Sequence, residues 1–366
     1  MTTSKDLSSK AQLLALVEAN PFIGQQELAD QLGLSRSAVA GHLAQLTRDG
    51  RILGRAYVLP QRQPIVCMGG ANVDRKLRAI APLHMGSSNP ARQHESAGGV
   101  ARNIAENLAR LGLPVHLLTA VGRDAAGQSL LDQLQALGVD SAGSLQAPDE
   151  ATGSYTAVLD PQGDLVLALA HMALTERLDA AFLRQTAPRR AAASLVVADL
   201  NLPRDTLDGL RAEARLRDQR LLLVAVSEPK MSRLGTDLRG VSLLVLNRGE
   251  LQALVGRDLP DEDALAQAWR ELRDAGLQQL VISDGARGVW FSDGDALAVL
   301  PAPALDPAAI REVTGAGDAM TAGIAAGLHR DPEDLRGACA LGLRLAALTL
   351  QSDATVSEAL GPALLV

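Results

Sequence analysis

Cysteine is nearly missing: Cys67 and Cys339 are the only two in 366 residues, and neither sits at metal-ligand spacing. A disulfide framework does not fit, and a reducing cytoplasm is the expected compartment. Long apolar runs are lacking too. The longest, such as residues 221–226 and 243–246, are strand-length, far below the roughly 20 residues of a membrane helix, so no membrane partner is expected. The N-terminus, Met1-Thr-Thr-Ser-Lys-Asp6, has no hydrophobic signal region. A basic coat is absent, since the net charge is -7. No internal repeat or low-complexity tract interrupts the chain.

What is present divides unevenly. Apolar residues make up 47%, which excludes a mainly disordered chain, and the length exceeds the usual ceiling for one hydrophobic core. Residues 1–63 carry seven Lys/Arg against five Asp/Glu, a net of +2 that leaves -9 for the remainder. Arg48, Arg51, Arg55 and Arg62 cluster at the end of that stretch. Such asymmetry points to a small module with a partner of its own.

The module reads as a domain over residues 1–60. Leu13, Leu14, Leu16 and Val17 follow helical spacing, and Asn20-Pro21 stops that helix. A second short helix spans 25–32. Gly33-Leu-Ser35 then makes a tight turn, with Ser35 as N-cap of a third helix to about Asp49. Val39, Leu43 and Leu46 form its buried stripe and leave Arg36, Ser37, Gln45 and Arg48 outward. Residues 51–58 alternate like a short hairpin with Gly54 at its tip. Helix, helix, turn, helix, hairpin is the order of a winged helix-turn-helix. Arg36, Ser37, Gln45 and Arg48 are its candidate DNA-reading residues, with Arg51 and Arg55 on phosphates. The same fold also serves protein contacts. If DNA is bound, a homodimer reading two half-sites is expected.

After a short polar linker at 61–64, residues 65–366 alternate strands with helices. Strand candidates are 65–68, 115–120, 195–198, 221–226, 243–246 and 280–283. Helices are expected at 102–111, 127–137, 204–217, 250–255, 263–275, 316–328 and 332–350. Apolar strands with helical crossovers imply an α/β, doubly wound, mainly parallel sheet covered on both faces. Residues 75–97 and 153–172 break the alternation and read as short strands of a small β lid, with Asp160-Pro-Gln-Gly163 as one turn.

Five segments carry chemistry. Thr314-Gly-Ala-Gly-Asp318 opens a helix, so its amides converge on one spot at the positive helix end, an anion site. A carboxylate at Asp318 could take a proton from an attacking hydroxyl there. Gly98-Gly99-Val-Ala-Arg-Asn103 allows close backbone approach to a ligand, with Asn103 on the first helical turn. Gly69-Gly-Ala-Asn72-Val-Asp74 follows the first strand, where open α/β sheets bind ligands. Asn247-Arg-Gly-Glu250 follows another buried strand, and Ser283-Asp-Gly285-Ala-Arg-Gly288 a third. Each has a plainer reading alone: a capped helix start, a turn, a loop cap, a capping box, a hairpin turn.

In this chain order the five resemble the signatures of the ribokinase-like (PfkB-type) sugar kinases over about residues 65–350. That resemblance implies Asp318 as catalytic base, with Gly315, Ala316 and Gly317 as the anion hole. It implies sugar binding through Asn72, Asp74, Gly98, Gly99 and Asn103. It places ATP on Asn247, Ser283, Gly285, Gly288 and Thr314, and Mg²⁺ on Glu250 and, through water, Asn247. Backbone carbonyls near Val313, where many members have an acidic residue, leave room for a monovalent cation (K⁺).

Ser88-Asn-Pro90, Val121-Gly-Arg-Asp124, Gly127-Gln-Ser-Leu-Leu131, Ala198-Asp-Leu-Asn201 and Val313-Thr-Gly-Ala-Gly-Asp-Ala-Met320 together look like pseudouridine kinases. This resemblance implies transfer of the ATP γ-phosphoryl group to a nucleoside or sugar 5′-hydroxyl, that of pseudouridine above all. Val224-Ala225, ahead of Ser227 and Lys230, and His171-Met172 depart from the pattern. Few aromatics could stack on a base, Tyr155 among them. Two alternatives stay open: a kinase of another nucleoside or a pentose (ribose, adenosine, uridine), and a transcriptional regulator that only senses such a compound. The intact Gly315, Gly317, Asp318, Asn247 and Glu250 speak against the second, because a sensor needs no base, anion hole and metal shell together.

Overall fold

The computed structural model describes residues 9–53 and 63–365. The expected hairpin tip at Gly54, Arg55, and Gln61 and Arg62 of the linker lie outside the described residues. Two compact units emerge. One is built on the segment up to Gln63 together with Ala187–Ala193, and the other on Pro64–Thr186 and the chain from Ser194 onward.

The first unit contains α1 (Ser9–Ala19), α2 (Gln25–Leu32) and α3 (Arg36–Arg48). Leu13 and Val17, Leu28, and Val39, Leu43 and Leu46 meet in one core with Ile23 and Ile52. Gly33 adopts φ 64 and ends α2 in a left-handed cap, which a side-chain-bearing residue resists. Ser35 caps α3 by accepting from the Ala38 amide at 3.1 Å. Lys10 pairs with Asp49 at 2.6 Å, tying α1 to the end of α3. Arg36, Ser37, Gln45 and Arg48 are exposed.

The remaining elements run β1 (Ile65–Met68), β2 (Asn72–Ala79), β3 (Ala91–Gly98), α4 (Val100–Arg110), β4 (Val115–Leu118), β5 (Ala120–Gly122), α5 (Ala125–Ala136), β6 (Leu145–Ala147), β7 (Ser154–Leu159), β8 (Leu165–His171) and α6 (Ala180–Ala191). They continue with β9 (Leu195–Asp199), α7 (Arg204–Arg217), β10 (Leu221–Val224), β11 (Leu243–Asn247), α8 (Arg248–Val255), α9 (Glu262–Asp274), β12 (Gln279–Ser283), β13 (Val289–Asp293), β14 (Ala296–Leu300), α10 (Ala316–Arg330) and α11 (Leu335–Leu350).

Eight strands form the main sheet in the order β14-β13-β12-β11-β10-β9-β1-β4. From β12 to β4 every pair is parallel, and β13 and β14 add an antiparallel edge. β1, β9 and β10 are buried at every position, as the unbroken apolar runs require for a sheet covered on both faces. Ile104 and Leu108 of α4 and Ile324 and Leu328 of α10 join the core against it. Each such side chain contributes about 1.5–3 kcal/mol by leaving water. A second sheet, ordered β3-β2-β7-β8, forms the β lid, with β2 and β7 parallel.

Several local features differ from expectation. The strand expected over 115–120 breaks at Thr119, whose hydroxyl donates to the Gly69 carbonyl at 2.6 Å; β5 then pairs with β6 instead. Helix α6 was hidden by its internal Pro188, a residue that ordinarily ends a helix. The last helix starts at Leu335 rather than 332, because the Asp334 side chain caps it through the Gly337 amide at 2.8 Å.

Candidate active site

The carboxyl ends of the parallel strands collect the predicted residues into two groups. At the β1 and β9 ends lie Gly69-Gly70, Asn72, Asp74, Gly98, Gly99 and Asn103. The Asn72 amide donates to Asp74 Oδ1 at 2.6 Å, and burial raises the Asp74 carboxyl above its ordinary range. Gly98 pairs with Asn72 across β3 and β2, and a side chain at Gly98 would overlap the Asp74 carboxylate. Gly99, at φ 101, caps α4 and packs directly on the Gly70 carbonyl. No other residue type meets both demands at Gly99.

At the β11 and β12 ends stand Asn247 and Ser283, partners in register. Asn247 and Glu250 form a complete capping box: Oδ1 of Asn247 accepts from the Glu250 amide at 2.9 Å, and Glu250 Oε2 from the Asn247 amide at 2.8 Å. The plainer reading of that motif is therefore present, with Glu250 Oε1 and the Asn247 NH₂ group left over. Burial, with Glu228 adding to it, raises the Glu250 carboxyl. Gly285 begins a single 3-10 turn, and Gly288, at φ 99, lies against the Leu300 carbonyl of β14. No described contact brings Gly285 or Gly288 to Asp318.

Beside the first group α10 begins. Gly315 takes φ 87 as its N-cap, and a Cβ there would overlap the Thr355 carbonyl. First-turn amides of a helix have no intrahelical acceptor. Of the three predicted for the anion hole, the Ala316 amide turns back to the Val313 carbonyl at 3.4 Å. Asp318 is half-buried and accepts from Asn103 Nδ2 at 2.8 Å, a bond between motifs 215 residues apart. Burial is the main cause that pushes its carboxyl up to about 7; Asp199 and Asp74 add to the shift, while Asn103 and Arg102 oppose it.

Four residues to which the sequence reading gave no role hold this arrangement. Asp199, fully buried at the end of β9, accepts from the amides of Gly70 (2.9 Å), Ala101 (3.0 Å) and Asn201 (2.8 Å). One carboxylate thus pins the loop after β1 to the start of α4. A charged residue closing an otherwise apolar strand was its visible signal. The acid of the loop before α10 is Glu312 rather than a residue at 313. It accepts from the Thr314 amide (3.0 Å) and hydroxyl (2.7 Å) and pairs with Lys76 of the lid strand β2. Burial alone would raise it, but the Lys76 and Thr314 hydrogen bonds outweigh burial and hold it at about 2. Arg102 is the fourth; it is buried and joined to Glu106 and Asn103.

A half-buried acceptor carboxylate at a helix N-terminus, beside a polar cluster at the strand ends, is suited to phosphoryl transfer. The comparisons with known proteins agree. Residues 62–360 match the model of the pfkB family of carbohydrate kinases, and residues 9–52 match a winged helix-turn-helix DNA-binding family. An uncharacterized sugar kinase of Escherichia coli (strain K12), YeiI, is 34% identical over 285 residues, covering 78% of each chain. The pseudouridine kinase of the same organism is 34% identical over 265 residues, 72% of this chain and 83% of its own. A carbohydrate kinase from Agrobacterium tumefaciens superposes with a TM-score of 0.72 at 34% identity, over 83% of this chain and 95% of its own. The chain belongs to the pfkB family of carbohydrate kinases and carries a winged helix-turn-helix ahead of the kinase body.

Proposed function

We propose that this kinase transfers the γ-phosphoryl group of ATP to the 5′-hydroxyl of pseudouridine. The observation that carries the chemistry is the Asn103–Asp318 hydrogen bond, which sets a carboxylate at the positive end of α10 beside the sugar-side cluster. The substrate rests on 34% identity to a pseudouridine kinase together with the motifs quoted above. In this reading the 5′-oxygen attacks the γ-phosphorus, its proton passes to Asp318, the bond to the bridging oxygen breaks, and ADP leaves. Amides of Gly315 and Gly317, with that of Ala316 once it leaves its long 3.4 Å bond to the Val313 carbonyl, receive the charge of the transferring group. Asp74, oriented by Asn72, accepts from sugar hydroxyls, while Gly98 and Gly99 admit the ring to the backbone.

ATP lies against Asn247, Ser283, Gly285, Gly288 and Thr314 in the same reading. Glu228 rests against Gly249, so its carboxylate and that of Glu250 converge. Among the described residues no group of three or more His, Cys, Asp or Glu is arranged to hold a metal ion. Two converging carboxylates suit Mg²⁺, which keeps most of its hydration. Glu250, with Asn247 through water, would hold it, and it would neutralise phosphate charge.

The base must be ionised to act, and its proton is held to about pH 7. We expect kcat/KM to rise with pH through a midpoint near 7, measured with pseudouridine and saturating ATP. A midpoint near 4, the ordinary range of an aspartate, contradicts the site.

The N-terminal module binds DNA in this reading, through Arg36, Ser37, Gln45 and Arg48. We infer a homodimer as its carrier. β8 is an edge strand of the lid whose Leu165, Val166, Leu167 and Leu169 are all exposed, a surface that a second copy would cover. Arg36→Ala with Arg48→Ala is expected to abolish salt-dependent retention of DNA from the gene's own upstream region. Retention unchanged in that variant would favour a protein-contact role.

The substrate is tested by ATP turnover on pseudouridine, uridine, adenosine and ribose. Pseudouridine is expected to have the highest kcat/KM. Turnover of ribose alone would replace the substrate, and no turnover of any would favour the sensing regulator.

A further inference from the structure

Asn103 presents two chemically opposite faces, a carbonyl that only accepts and an NH₂ that only donates. Which face meets Asp318 decides the form of the base that the site favours. The NH₂ face welcomes an ionised carboxylate, whereas the carbonyl face repels it and requires a proton between the two oxygens. Packing cannot choose, because the two ends of an amide are nearly equal in shape. A partner on the far side must.

That partner is Arg102. Its guanidinium is 4% exposed, and Nη1 donates to Asn103 Oδ1 at 3.0 Å. Nη2 pairs with Glu106, which is buried as well and is held from its other side by Arg110 at 2.8 Å. Arg102 therefore cannot swing away without leaving a buried carboxylate half-paired. Guanidinium has donors and no acceptor and does not lose its proton in proteins, so the face of Asn103 turned toward it must be the carbonyl. The NH₂ is left for Asp318 Oδ2, at 2.8 Å. A neutral residue at 102 would leave the amide free to turn over.

We propose that Arg102 is a positioning residue that locks the Asn103 amide with its NH₂ face toward Asp318, so that the site holds the base in its proton-accepting form. This rests on Asp318 being the base. The charged groups acting on Asp318 are Asp199 at the end of β9, Asp74 on β2, and Arg102 itself on α4. Two of these three hold the proton on, and Arg102 is the one cation among them. Its removal therefore takes away both the amide lock and that opposing charge.

The experiment is the pH profile of kcat/KM for Arg102→Met and Arg102→Lys, with Asp318→Asn alongside. Arg102→Met is expected to move the acidic midpoint upward by about half a unit or more. Its loss should be about tenfold at pH 6.5 and narrow toward about threefold above pH 8.5. Arg102→Lys, which restores a charged donor, should bring the midpoint most of the way back. A uniform loss at every pH with an unmoved midpoint in Arg102→Met would mean that Arg102 only supports the helix and would overturn the proposal. Should Arg102→Met not fold, Arg102→Gln takes its place and a smaller upward shift is expected, with an unmoved midpoint again overturning it. Activity surviving in Asp318→Asn would remove the base assignment itself. Loss there with an unshifted Arg102→Met midpoint removes only the role of Arg102.

Discussion

Asp318→Asn is expected to lower kcat by about 10²-fold or more with ATP binding near that of the unaltered chain. The substitution keeps the shape and leaves an oxygen to accept from Asn103, but removes the site that receives the proton. Unfolding should not confound the measurement. Burial holds the Asp318 carboxyl at about 7 in the folded chain, above its ordinary 3.8. Its proton thus adds stability that is complete below 3.8 and is lost as pH rises through about 7. Above pH 7 the unaltered chain carries a half-buried charge that the variant lacks, so Asp318→Asn should melt at the same temperature or higher there. The gap should close as the pH is lowered toward 4. A variant that melts lower at pH 8.5, or one that turns over at the natural rate, would contradict the assigned role.

The largest effect on stability is expected at Asp199. Its two oxygens accept from three backbone amides belonging to three separate segments. Asp199→Ala leaves those donors buried with nothing to accept them, at about 1–3 kcal/mol each. A loss of about 3–5 kcal/mol is expected, which is a large share of the stability of any such fold. Asp199→Asn should be milder in shape yet still harmful, since its NH₂ must face at least one amide donor. Urea denaturation of both variants reads the effect. Were Asp199→Ala as stable as the natural chain, the account of how the Gly70 loop and α4 are held together would fail. Both variants should also lose sugar-side binding before ATP binding, because the pinned segments carry Gly98, Gly99 and Asn103.

The contrast between Asp318 and Asp199 shows which parts of the site could be read in the residues. Gly99 and Gly315 were legible because the backbone there adopts angles that other residues resist, and that need leaves its mark on the local sequence. β1, β9, β10 and β11 were legible because strands buried on both faces carry unbroken apolar runs. Lys76 and Glu312 were not, since nothing local tells a lysine on a half-exposed strand that its partner lies 236 residues away. Arg102 sat inside a recognised motif, yet its burial depends on Glu106 and Arg110 turning to the same side of α4. Asn247 and Glu250 were read both for metal and as a capping box, and the capping box is what the structure shows, because the spacing that suits one suits the other. β14 was missed for a further reason: its alternation is short and its residues half-exposed, so pairing with β13 rather than burial defines it.

The central claim is that this fold moves a phosphoryl group onto a nucleoside oxygen with Asp318 receiving the proton. Phosphorus NMR of a reaction containing the chain, ATP, a magnesium salt and pseudouridine addresses it directly. The account predicts one new phosphomonoester signal coupled to the protons on the 5′-carbon, growing in step with ADP and missing with Asp318→Asn. Inorganic phosphate growing in step with ADP, or a phosphomonoester formed equally well by the Asp318→Asn chain, would contradict it.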